Sequence, residues 1–132
     1  CLKLVGDRER IADHCSDISQ YTLRLAEKDS VPMPENFMAM LKVMRQMVYD
    51  SITAISENDV ELAQKVMTTD DEVDTYFREM RQDLTSLMQQ YPQLVPQYVD
   101  YLMIAKYVER IADHATNIAQ WVLFVVNNEL KS

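Results

Sequence analysis

Apolar residues along this chain recur at helical spacing almost throughout, and polar residues fill the intervals. Leu4, Ile11, Cys15, Ile18, Thr22 and Leu25 form one stripe, which predicts a first helix from Leu2 to about Glu27. Asp29-Ser30-Val31-Pro32-Met33-Pro34 reads as a turn, because two prolines exclude a continuing helix. Phe37, Met40, Leu41, Met44, Met47, Val48, Ser51, Ile52 and Ile55 then mark the buried face of a second helix, from about Glu35 to Ser56. After the short connection Asn58-Asp59, with Asp59 as N-cap, a third helix is expected from about Val60 to Gln90. Val66, Val73, Met80 and Leu87 repeat every seven residues along it, with Phe77 and Leu84 between them, as in a helix packed lengthwise in a bundle. Tyr91-Pro92 ends it. Pro96 suits the first turn of a last helix running to about Asn127, with Leu102, Ala105, Val108, Ala112, Ala115, Ala119, Val122 and Val126 on its inner face. The fold class is therefore all-α, an up-and-down helical bundle.

Composition agrees. One Gly and four Pro in 132 residues argue against sheets and tight turns, and nine Met among many Leu, Val, Ala, Glu and Gln favour helices. The length allows one compact core. A formal net charge of −8 speaks against nucleic-acid binding and for cationic or basic partners. Cys1 and Cys15 make no CxxC pair and are expected to be reduced thiols. The longest apolar run, Trp121 to Val126, is far short of the roughly 20 residues that span a bilayer, so a soluble chain is expected, with a membrane-bound neighbour still open.

One segment occurs twice. Glu9-Arg10-Ile11-Ala12-Asp13-His14 returns unchanged as Glu109-Arg110-Ile111-Ala112-Asp113-His114, and the similarity runs on through Gln20 and Gln120. Such an echo argues for duplication of a larger unit. The first unit would then lack everything before its final helix, about 65 residues. Because the chain starts at Cys1, a fragment or a shortened form is expected. The apolar stripe of the first helix, with Ile11, Ile18 and Leu25, should dock on the second unit or on another chain.

Within each copy an acid pair stands at i and i+4, on one face of a helix: Glu9 with Asp13, and Glu109 with Asp113. A third pair, Asp70 with Asp74, breaks the apolar seam of the third helix where the pattern asks for a hydrophobic residue. A bare carboxylate there costs several kcal/mol unless it is paired or metal-bound. Ala105 and Ala112 flank Glu109 and leave room for a helix or an ion. Carboxylate oxygens suit hard cations such as Mg, Ca, Mn or ferric iron. The plainer account is a solvated face salt-bridged by Arg10 and Arg110. Asp74 lies seventeen residues before Tyr91 and Glu109 thirteen after Pro96, so antiparallel packing should bring these two pairs to one level. His14 and His114 point about 100° away from the neighbouring Asp and suit hydrogen bonds at a helix interface, or ligation from its edge. Asp17 and Asn117, one turn on, could extend the site. A ferritin-like di-iron oxidase needs Glu-x-x-His, whereas here His falls at i+5. No Gly-rich phosphate loop and no hydrolytic triad are visible.

The segment Glu-Arg-Ile-Ala-Asp-His-Ala-Thr-Asn-Ile-Ala, together with Asp-Asp-Glu-Val-Asp-Thr-Tyr-Phe-Arg-Glu-Met, resembles the PhoU family of phosphate-transport regulators. The resemblance implies two tandem three-helix units, each with two E(D)xxxD motifs that hold metal clusters, commonly iron or zinc. Residues 1–28 would be the last helix of a first repeat and 35–130 a complete second repeat. The metal residues implied are Glu9, Asp13, Asp70, Asp74, Glu109 and Asp113, with the pair at Glu9 and Asp13 left incomplete. It further implies a non-enzymatic, cytoplasmic and dimeric protein. Such a protein works with the phosphate ABC transporter and restrains a phosphate-sensing histidine kinase. The alternatives are a PhoU-like domain of a sodium–phosphate cotransporter and a carboxylate-bridged metalloenzyme.

Overall fold

The computed structural model describes residues 2–26, 34 and 36–131, and the side chains among them at 6, 7, 9–18, 20, 21, 34 and 36–128. Four long helices form: α1 (Leu2–Ala26), α2 (Phe37–Glu57), α3 (Val60–Gln90) and α4 (Val95–Lys131), with a single 3-10 turn at Pro92–Leu94. The expected turn at Asp29–Pro34 falls outside the described residues, apart from Pro34 itself.

Local chemistry explains the boundaries. α2 ends because Asn58 takes the left-handed conformation (φ 53°), which Asn tolerates, and its N–H caps the Ala54 carbonyl. Asp59 then starts α3, its Oδ1 accepting from the Leu62 N–H at 3.1 Å. α3 covers the residues its sequence pattern specified. α2 begins two residues later than expected, at Phe37, whose N–H bonds to the Pro34 carbonyl at 3.2 Å. α4 continues past Asn127 to Lys131, since no Gly or Pro interrupts that stretch.

α2, α3 and α4 pack against one another, and among the described residues the backbone of α1 lies close to α4 alone. The core between α2, α3 and α4 holds Met40, Met47, Ala54, Val66, Val73, Met80, Leu84, Ile104 and Val108, all nearly inaccessible to water. Ala105, Ala112, Ala115 and Ala119 are buried too, and their small side chains let neighbouring helices come close to α4. Burying a side chain such as Met80 or Leu84 is worth about 1.5–3 kcal/mol. Two expectations fail here. Ile52 stands on the outside of α2, 42% exposed, while Asp50, which the pattern left off the buried face, points inward beside the expected Ser51. Cys15, expected on the apolar stripe of α1, is exposed. Asp50 is kept in place by Gln46, which donates to it at 2.9 Å, and by the Lys65 ammonium at 3.6 Å.

α1 docks on α4 through the duplicated segment itself. Ile11, Ile111 and Ile118 make a separate small core, closed by Ile18 and by Met44, Val48 and Ile55 of α2. The two helices run antiparallel: Asp7 meets His114, whereas Tyr21 meets Tyr107. The contacts are reciprocal across the repeat. His14 packs on Tyr107 (5.3 Å), His114 bonds Asp7, and the two imidazoles stack on each other at 5.8 Å where the copies cross. No helix among the described residues is long and apolar enough to cross a membrane.

Candidate carboxylate site between α3 and α4

Asp70 occupies the gap in the α3 seam, between buried Val66 and Val73, and is only partly open to water. Its Oδ1 is buried and has no hydrogen-bond partner. Thr116 of α4, whose hydroxyl donates to the Ala112 carbonyl at 3.0 Å, lies beside Asp70 and eases its charge, but leaves Oδ1 unpaired. Asp74 follows one turn later. Across the groove, α4 presents Glu109 and Asp113, beside the fully buried Ala105 and Ala112.

The four carboxyl groups share one electrostatic field. Burial, then the charges of Asp74, Asp113 and Asp71, raise the Asp70 pKa above the usual carboxylate range. Burial, then Asp113, Asp74 and Asp70, do the same at Glu109, where Lys106 opposes the shift. Burial followed by Asp74 raises Asp113, and His114 opposes. The antiparallel hairpin thus brings the two acid pairs to one level, as their distances from the turn require. Among the described residues none of these acids closes an ion pair with Arg10 or Arg110. Arg110 lies over the Tyr107 ring instead, 5.6 Å from its centre.

The donor set is all oxygen and its charge is only partly offset, by Lys106 beside Glu109, which fits a hard cation chemically. As the side chains stand, no three His, Cys, Asp or Glu among the described residues are grouped closely enough to hold an ion. The cluster is therefore an electrostatic demand for protons or cations rather than a closed coordination shell.

The other sequence-derived candidates lie elsewhere. Glu9 and Asp13 are exposed on α1, and neither is among the charges that shift Asp70, Glu109 and Asp113. His114 turns to Asp7, with its Nδ1 2.8 Å from Oδ1, and Asn117 donates to the same oxygen at 3.5 Å. His14 has a buried, unbonded Nδ1 with Asp17 4.0 Å away, and burial, then the charges of His114 and Arg110, lower its pKa against Asp17 and Asp13. Asp7, 5% exposed, was missed by the sequence reading. The signal was present, since Asp7 interrupts the Leu4–Ile11 stripe as Asp70 interrupts the α3 seam.

The model of the PhoU domain matches residues 37–122, which holds α2, α3, most of α4 and all four acids. The chain belongs to the PhoU family. It is similar to the phosphate-specific transport system accessory protein PhoU homolog of Xylella fastidiosa, 30% identical over 97% of this chain and 54% of that relative. The protein of the same name from Clostridium acetobutylicum is 28% identical over 97% of this chain and 58% of its own. The chain thus spans little more than half the length of these PhoU relatives. The crystal structure of PhoU from Pseudomonas aeruginosa superposes with a TM-score of 0.90 at 28% identity, covering 96% of this chain and 61% of that one.

Proposed function

We propose that this chain acts as a PhoU-type accessory protein of phosphate transport, a negative regulator of phosphate uptake and phosphate-starvation signalling that binds metal between α3 and α4. The observation that carries the metal reading is the Asp70, Asp74, Glu109 and Asp113 cluster, with an orphaned buried oxygen and, among the described residues, no ion pair to any of the four acids. When bound, the metal supplies positive charge that lets all four acids ionise together. Iron or zinc as a cluster fits the family, and Mg or Mn fits the all-oxygen donors. Glu9 and Asp13 are a second candidate acid pair, on α1 as the last helix of a first repeat, with residues 35–130 as the second. The names of the relatives support the accessory role. On this reading the protein is not an enzyme and works by contact, in the cytoplasm, with the phosphate ABC transporter and its histidine kinase as partners and a second copy as mate.

Elemental analysis of protein purified without chelator tests the metal. Wild type should carry metal, and the Asp74→Asn, Glu109→Gln variant should have lost most of it. Equal metal in both, or none in wild type together with a melting curve that Fe, Zn, Mg and Mn all leave in place, would end the metal reading. For the regulatory role, a phosphate-starvation reporter should stay silent in rich phosphate with wild type and become active when the gene is removed.

A further inference from the structure

The outer faces of α2 and α3 carry opposite charges at the same height. Two ties set the register of this antiparallel pair: Asn36 donates to Asp83 at 3.3 Å near one end, and Lys65 pairs with Asp50 at 3.6 Å towards the other. Between them, Lys42, Arg45 and Tyr49 of α2 line one shallow hollow, and Glu72, Tyr76 and Glu79 of α3 line a second, about one turn nearer the Asn36–Asp83 tie. All four charged residues are exposed, and no ion pair within the chain joins the basic to the acidic set among the described residues. Tyr49 is 67% exposed, and Met38 (49%) and Ile52 (42%) stand on the same side of α2. Large apolar side chains left in water beside unpaired charges mark an interaction surface.

We infer that this α2–α3 face binds the same face of a second copy of the chain. A half-turn about an axis parallel to the helices and midway between them lays α2 of one copy over α3 of the other without changing height. Arg45 then opposes the partner copy's Glu72, Lys42 lies between that copy's Glu72 and Glu79, and the reverse pairing holds on the other side. Such an isologous contact needs a self-complementary surface, which adjacent stripes of opposite sign supply. The alternative half-turn, about an axis perpendicular to the helices, would set α2 on α2 and oppose like charges. The acid cluster lies in the other groove of α3 and stays clear of the contact. This deepens the pairing named under the proposed function, while the surface rests on its own charges.

Sedimentation velocity of the full chain at micromolar concentration, in chelator to exclude metal bridging, tests the surface. Wild type should be a dimer. Lys42→Glu with Arg45→Glu should weaken it at least about tenfold, and so should Glu72→Lys with Glu79→Lys. An equal mixture of the two variants should dimerise again, as should one chain carrying all four changes. A variant that had merely lost its fold could not regain a partner in this way. A monomeric wild type, dimers that persist in both variants, or a mixture that stays monomeric would overturn the inference. Metal content is read separately, so none of these outcomes bears on the carboxylate site.

Discussion

Asp70 shows what one residue can impose on a helix seam. Apolar side chains stand before and after it, and its Oδ1 is buried without a donor. The charge is costly without a counter-ion, since neighbouring acids add repulsion to desolvation. Asp70→Leu should therefore stabilise the protein in chelator by about 1 kcal/mol, a figure reduced because the carboxyl is partly solvated. Thermal melts with and without Mn would check this, and the variant should gain less from the metal than wild type. A melting point lowered in chelator would mean that Asp70 serves the fold rather than an ion. Asp7 is the opposite case, because its charge has partners. His114 and Asn117 both reach its Oδ1. Asp7→Ala strands His114 in the α1–α4 interface and should cost about 1–3 kcal/mol, whereas Asp7→Asn keeps an acceptor and should cost less. Urea titrations of the two variants give the comparison.

Among the elements, α3 was the most legible. A capping Asp59, a heptad seam and Tyr91-Pro92 fix both of its ends independently. The Leu62 N–H bond puts Asp59→Ala at about 1 kcal/mol of lost stability, read as a lower urea midpoint at unchanged slope. α4 was misjudged at its end because the polar Asn127–Lys131 stretch contains nothing that stops a helix. α2 was misjudged in rotation. Its apolar residues outnumber its buried positions, so spacing alone could not say that Ile52 faces out while Asp50 faces in; a tertiary partner, Lys65 on α3, decides it. The level of the two acid pairs was legible because hairpin geometry depends only on distance from the turn. The pairing of Asp7 with His114 was not, since it depends on how α1 crosses α4. That crossing also bears on stability, because among the described residues the backbone of α1 lies close to α4 alone. Amide exchange should find α1 opening before α3 and α4, and opening sooner still in Asp7→Ala.

The whole molecule carries a net charge of −8, and four acids of that excess are gathered in one groove. Their effect on stability has a definite sign. Asp70, Glu109 and Asp113 each have a pKa raised in the folded state, while the unfolded chain titrates them near the ordinary value of about 4. Between that value and the raised ones the folded protein binds more protons than the unfolded, so stability falls as pH rises. The cost is complete above the raised values and is relieved as pH drops through them. His14, lowered by burial, works the other way below its usual range, so the comparison must cancel it. The reference is the Asp70→Asn, Glu109→Gln, Asp113→Asn variant, which keeps His14 and removes the three acids. In chelator, wild type should lose about 1 kcal/mol relative to this variant between pH 5 and pH 7.5, allowing for solvent screening. Saturating Mn should abolish the difference, because a bound cation favours the ionised acids that the fold alone disfavours. Parallel pH profiles in chelator would mean that the four charges are already relieved by solvent, and the groove would then have no need of an ion.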